Sequence, residues 1–228
     1  MNLKSVRTLV VRFDLPLRPF EISAFRGAII EKVGREHILF NHHISDNKFL
    51  YRYPLIQYKS INRQPTILCL GEGVDEIHKL FNKSHWDIDL NGRKAVLTID
   101  EMRFGNATLN VLDNVFNYQL HNWLALSEKN FQRYKNLNNE IEQIEMLEKI
   151  LVGNILSFAK GMEWEITEQI KVRIQNIRKN KNLKYKSTHL LAFTIDFSTN
   201  VDLPQYIGLG KGVSRGYGVL THQKNKVL

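Results

Sequence analysis

Ser5-Val-Arg-Thr-Leu-Val-Val-Arg-Phe13 and Ile22-Ser-Ala-Phe-Arg-Gly-Ala-Ile-Ile-Glu-Lys-Val-Gly34 lie either side of a short proline-containing gap. The first run is rich in β-branched and apolar residues, with Val6, Leu9, Val10, Val11 and Phe13, and Asp14 and Pro16 end it, so it predicts a strand. In the second, Ile22, Phe25, Ile29, Ile30 and Val33 recur at helical spacing, and Gly34 stands where a helix C-cap belongs. A strand therefore runs directly into a helix.

Further along, Phe49-Leu-Tyr-Arg-Tyr-Pro-Leu-Ile-Gln-Tyr-Lys59 and Thr66-Ile-Leu-Cys-Leu70 flank the turn-like Asn62-Arg-Gln-Pro65, which predicts a hairpin with Pro54 at an edge or bulge. Val74, Ile77, His78, Leu80 and Phe81 predict a second helix, and strands near 93–111 complete a β-α-β-β-α-β order, the split βαβ pattern. The chain then begins again. Asn117-Tyr-Gln-Leu-His-Asn-Trp-Leu-Ala-Leu126 leads into a long helix whose Leu137, Ile141, Ile144, Leu147, Leu151 and Ile155 mark one buried face. Alternation around Ile170, Val172 and Ile174, and around Leu191, Phe193, Ile195 and Phe197, predicts two half-buried strands joined by Arg178-Lys-Asn-Lys-Asn-Leu-Lys184. A last short strand is expected at Tyr217–Thr221. The fold class is α+β: two tandem ferredoxin-like (RRM-like) units, 1–115 and 116–228, the second degenerate with little room for its second helix.

At 228 residues and 43% hydrophobic content, each unit can bury a core. A single cysteine, Cys69, excludes an intrachain disulfide framework and a thiolate zinc site. No leader-like opening and no apolar run near membrane-spanning length stands out, so a cytoplasmic location is expected, without a membrane partner. The net charge of +9 is concentrated: residues 171–228 hold 11 of the 32 basic residues but, of the 23 acids, only Asp196 and Asp202. A patch of one sign at one end of the chain points to a polyanion, nucleic acid before an anionic membrane. A basic hairpin tip that merely solvates itself is the plainer alternative.

Gly208-Leu-Gly-Lys-Gly-Val-Ser-Arg-Gly-Tyr-Gly218 contains five glycines. The phosphate-loop pattern fails, because Gln205 occupies its first glycine position and Gly212 its Ser/Thr position. The dinucleotide fingerprint fails too, with Val213 or Arg215 where its third glycine belongs. What remains is a flexible cationic loop whose N–H groups, with Lys211, Ser214 and Arg215, are suited to RNA phosphates, or an ordinary hairpin connection. Arg215-Gly-Tyr-Gly218 also matches the start of an RNA-recognition signature, but too little chain follows for that fold's next helix and strand. Lys171 and Arg173 on the expected strand, and Arg178 and Lys179 in the connection that follows it, extend the candidate RNA-binding set.

His37, His42 and His43 fall between the first helix and the second strand. With Asp46 they form a conceivable metal set, though no HExxH or second cluster accompanies them, and no metal or cofactor is expected. Histidine also suits proton transfer in RNA cleavage, while exposed loop histidines often have no role. Tyr51, Tyr53 and Lys59 share a strand face by the period of two, either to stack bases or hold a phosphate, or simply to pack.

Two ferredoxin-like units, a histidine after the first helix and a terminal glycine-rich loop together resemble the CRISPR-associated endoribonucleases of the sixth Cas family, which process precursor CRISPR RNA in antiviral defence. Arg26-Gly-Ala-Ile-Ile-Glu-Lys-Val-Gly34, Tyr51-Arg-Tyr-Pro-Leu-Ile-Gln-Tyr-Lys59 and Tyr118-Gln-Leu-His-Asn-Trp-Leu-Ala-Leu126 look like a Bacteroidetes-type branch. The resemblance implies metal-independent cleavage of repeat RNA by 2′-hydroxyl attack, leaving a 2′,3′-cyclic phosphate and a 5′-hydroxyl. It places the general acid/base on the His42-His43 pair, His43 first and His42 in reserve, with Tyr51 and Lys48 nearest for stabilising the phosphorane. The implied partner is CRISPR repeat RNA, and a CRISPR effector complex is a further one. The rival within the family is a non-catalytic RNA-binding subunit of such a complex. Outside it stands a small-molecule enzyme on the same fold.

Overall fold

The computed structural model describes residues 3–18, 21–41, 43–45, 48–49, 52–185 and 188–223. They fall into two compact units, one of Ser5–Ala107 with Val213–Gly216, the other chiefly of Thr108–Gly212 and the chain from Tyr217 onward.

The first unit runs β1 (Lys4–Phe13), α1 (Ile22–Val33), a single turn α2 (Ile38–Asn41), the short strands β2 (His43–Ser45) and β3 (Lys48–Phe49), and the hairpin β4 (Ile56–Ile61) and β5 (Gln64–Leu70). The turns α3 (Gly73–Glu76) and α4 (His78–Phe81), the hairpin β6 (Asp87–Leu90) and β7 (Arg93–Val96), and the start of β8 (Ile99–Trp123) complete it. Its main sheet has the order β4-β5-β1-β8, which is second, third, first, fourth: the ferredoxin-like arrangement. Alternation in β1 sends Leu9, Val11 and Phe13 to one side, where they meet Phe25, Ile29 and Val33 of α1. Gly34 ends α1 at φ +121, its N–H bonded to the Ile30 carbonyl at 2.9 Å.

Both hairpins turn on two residues with positive φ, Asn62 (51°) with Arg63 (64°) and Asn91 (55°) with Gly92 (92°), the mirror-image turn whose twist matches paired strands. The strand expected from Phe49 begins only at Ile56, because Pro54 has no N–H for a ladder and its carbonyl instead accepts from the Gln57 side chain at 2.9 Å. The helix expected over 74–81 is two single turns meeting at Ile77.

The second unit comprises the remainder of β8, α5 (Glu128–Lys135), α6 (Glu140–Gly161), β9 (Val172–Tyr185), β10 (Thr188–Asp202) and β11 (Val219–His222). Its strands again follow the fourth-first-third-second order, β11-β8-β10-β9, and the glycine-rich segment takes the chain position of the missing second helix. The strands expected separately at 93–111 and 117–126 merge over most of their length into a single strand: β8 closes the first unit with its opening residues and begins the second with those from Thr108. Even the turn-prone pair Gly105-Asn106 is carried in extended strand within residues 99–123.

The basic stretch Arg178–Lys184 is not a connection but lies within β9, paired with β10 through Asn180↔Phe193 and Asn182↔Leu191. Of the predicted helical stripe, Leu147, Leu151 and Ile155 are fully buried, whereas Ile141, in the first turn of α6, is 70% exposed. Asn139 caps that turn by accepting the Glu142 N–H at 2.9 Å.

Candidate functional site

The chain that carries the histidine pair is anchored immediately before it. Phe40, in α2, is fully buried and its carbonyl accepts the Tyr58 hydroxyl at 3.3 Å. The next carbonyl, that of Asn41, accepts from the Arg26 guanidinium, and the Asn41 side chain donates to the Arg35 carbonyl. Arg26 lies 5.9 Å from the centroid of the Tyr58 ring, a cation–π contact that braces both donors. Burial pushes the Tyr58 phenol far above its ordinary pKa, so it remains a neutral donor. Side chains of α1 and β4 thus fix the root of the segment, and His43 opens β2 two residues beyond Asn41. None of these anchors has a sequence motif; their roles emerge only when helix and strand are packed.

His43 pairs with Phe49 and Ser45 with Lys48 across β2 and β3, which places His43 and Lys48 on one small hairpin. His42, Asp46 and Tyr51 lie outside the described residues. Tyr53 precedes β4 rather than sharing its face with Lys59, and both are buried, out of reach of a stacking base. His37 sits 3.5 Å from Glu36, and among the described residues no three His, Cys, Asp or Glu side chains group as metal ligands.

The glycine-rich segment is a folded strap rather than the flexible loop expected. Within the second unit, Leu209 N–H bonds the Gly218 carbonyl at 2.9 Å, Lys211 N–H the Leu124 carbonyl at 3.2 Å and Gly218 N–H the Asn122 carbonyl at 3.1 Å. Its glycines serve that folding. Gly210 (φ +89) and Gly218 (φ +60) are left-handed, a Cβ on Gly210 would come 2.7 Å from the Trp123 ring, and one on Gly218 would overlap the Leu209 carbonyl. Three of the N–H groups considered for phosphate are therefore already used. Lys211 is exposed, and Ser214 and Arg215, in the 3-10 turn Val213–Arg215, are half-buried.

Lys171, just before β9, and Arg173, Arg178 and Lys179 within it are all exposed. Two carry partners: Arg173 lies 3.9 Å from Glu148, and Arg178 Nε donates to Asp196 at 2.6 Å. Burial alone would raise the Asp196 carboxyl, but its bonds from Arg178 and Gln119 outweigh this and hold it below the usual range. Arg178 is thus locally neutralised. His121, on β8, bonds the Thr221 hydroxyl at 3.0 Å, and burial lowers its pKa, so it stays neutral at pH 7.

Comparison with known proteins covers the whole of this arrangement. The Cas6b N-terminal domain family matches residues 4–108 and the Cas6b C-terminal domain family residues 110–223. A crystal structure of Cas6b is 30% identical and superposes with a TM-score of 0.87 over 96% of this chain and 100% of that one. A second, of the CRISPR RNA processing endoribonuclease Cas6b, is 28% identical with a TM-score of 0.73 and the same coverage. An uncharacterised protein of Methanocaldococcus jannaschii is 38% identical over 109 residues, 47% of this chain and 73% of that one. With both of its domains matched in order, the chain belongs to the Cas6b family.

Proposed function

We propose that the chain is an endoribonuclease that cuts precursor CRISPR RNA within its repeats, in the cytoplasm and without a metal ion. The observation that carries this reading is the end-to-end likeness to Cas6b, one such structure being of a CRISPR RNA processing endoribonuclease. The basic strand and the glycine strap support an RNA partner by their charge: Lys171, Lys179 and Lys211 are exposed, and Arg173, Arg178, Ser214 and Arg215 are further proposed RNA contacts. A CRISPR effector complex is a proposed second partner.

In the proposed reaction the 2′-oxygen bonds to the adjacent phosphorus as the bond to the 5′-oxygen breaks. A base takes the 2′-hydroxyl proton, and an acid gives one to the departing 5′-oxygen, leaving a 2′,3′-cyclic phosphate and a 5′-hydroxyl. No water is consumed. His43, with His42 in reserve, is the proposed proton carrier, and the bracing of Phe40 and Asn41 supports a rigid approach to it. Tyr51 and Lys48 are proposed to offset the charge that builds on the phosphorane.

Repeat RNA incubated with the protein in EDTA tests the reading. Cleavage to a cyclic-phosphate end supports it; binding without cleavage of any native repeat favours the non-catalytic RNA-binding subunit.

A further inference from the structure

Lys59 is fully buried on β4, and its Nζ donates to the carbonyl of Val213 at 3.1 Å. A buried lysine is ordinarily held by a carboxylate, but among the described residues no ion pair includes this one, and burial alone draws its pKa down to about 7. Its Nζ bonds instead to the backbone of the glycine-rich segment.

Val213 begins the 3-10 turn that, with Gly216, belongs to the same compact unit as α1 and β4. The turn is seated at both ends. Val213 is 5% exposed under its bond from Lys59, and Gly216 approaches so closely that a Cβ there would lie 3.2 Å from Ile22 and 3.4 Å from the Tyr58 carbonyl. Gly216 also has φ +86, which a larger residue adopts only with strain. Between these two fixed points stand Ser214 and Arg215, a hydroxyl and a guanidinium on adjacent residues, each half-buried.

We propose that Lys59 is a positioning residue for RNA binding: by holding the Val213 carbonyl it fixes the turn that presents Ser214 and Arg215 to a phosphate of the RNA strand. This rests on the reading of the glycine-rich segment as an RNA contact. Lys59 is too deeply buried to touch RNA itself, so its contribution is preorganisation. A turn already ordered in the free protein does not lose that freedom on binding.

The test uses the full chain and a repeat RNA made uncleavable by a 2′-deoxy nucleotide before the scissile phosphate. Lys59→Met keeps the side-chain length and removes the donor; Lys59→Gln, whose amide is too short to reach Val213, serves if the first does not fold. The expected result is faster hydrogen exchange at the 213–217 amides with α6 unchanged, and an RNA Kd weakened about tenfold. With cleavable RNA, the loss falls in KM and not in the saturated rate. Unchanged exchange at 213–217 overturns the proposal. A parallel Ser214→Ala, Arg215→Ala double variant separates the two claims. If it binds RNA as tightly as the native chain, the turn is not an RNA contact and the proposal falls with that premise. If it weakens binding while Lys59→Met does not, the premise stands and Lys59 is not the positioning residue.

Discussion

The Tyr58 hydroxyl donates to the Phe40 carbonyl across 3.3 Å, linking the fourth strand to the turn from which the candidate catalytic histidines emerge. Tyr58→Phe removes that donor and leaves a buried carbonyl unpaired, at a cost of about 1–3 kcal/mol. The cleavage rate at saturating RNA is expected to fall severalfold with Kd little changed, since the bond orients chain near His43 and not the basic strand. Single-turnover kinetics with a parallel thermal melt check this.

His43→Ala is expected to lower the single-turnover rate by roughly 10²–10⁴, the usual contribution of a positioned proton carrier. RNA affinity, measured with uncleavable RNA, should stay near the native value. A native cleavage rate in a His42→Ala, His43→Ala double variant removes both residues from the mechanism.

The glycine strap predicts an asymmetry among glycine substitutions. A left-handed backbone costs an alanine about 1–2 kcal/mol wherever it occurs. At Gly92 (φ +92) a Cβ meets nothing within 4 Å, so Gly92→Ala incurs only that cost. At Gly218 it also collides with the Leu209 carbonyl, so Gly218→Ala should lower Tm by clearly more. Equal shifts in Tm would contradict the described path of the strap.

Lys59 gives stability a pH dependence of known sign. Its folded pKa of about 7 lies below the unfolded value near 10.5, so between these the unfolded chain holds the extra proton and stability rises with pH. The slope from this group is at most about 1.4 kcal/mol per pH unit. The penalty is fully present below pH 7 and gone above the unfolded pKa. Denaturant unfolding of Lys59→Met across this range should lack the rise; an unchanged slope means that other groups cause it.

Much of the fold was legible because it depends on local period. β1, α1 and the β4–β5 turn follow from alternation, helical spacing and Asn62-Arg63. The merging of two expected strands into β8 was not, since no local signal distinguishes a strand that serves two units from two strands in succession. Arg178–Lys184 read as a loop because its charges hide a ladder fixed by the partner residues of β10. In the site, the histidine pair and the basic residues stood out by type. Arg26, Tyr58 and Lys59 did not, because their roles depend on backbone carbonyls that packing brings to them. The same limit misread the glycine-rich segment as flexible: composition reveals freedom of backbone, while the bonds that consume it come from Asn122 and Leu124.

The basic strand and the glycine strap make a salt-dependent prediction. Lys179→Ala or Lys211→Ala should each reduce the slope of log K against log salt by about 0.7–0.9, one phosphate contact. Arg178→Ala should reduce it less, since Asp196 already offsets that charge at 2.6 Å.

The central claim, cleavage of repeat RNA by its own 2′-hydroxyl, is tested most directly by a paired assay in EDTA. One RNA is native and the other carries a single 2′-deoxy nucleotide immediately before the scissile phosphate. The account predicts cutting of the first to a 2′,3′-cyclic phosphate and a 5′-hydroxyl, with the second bound but intact. Cleavage of the deoxy substrate, or loss of all cleavage on chelation with recovery on adding a divalent metal, would contradict it.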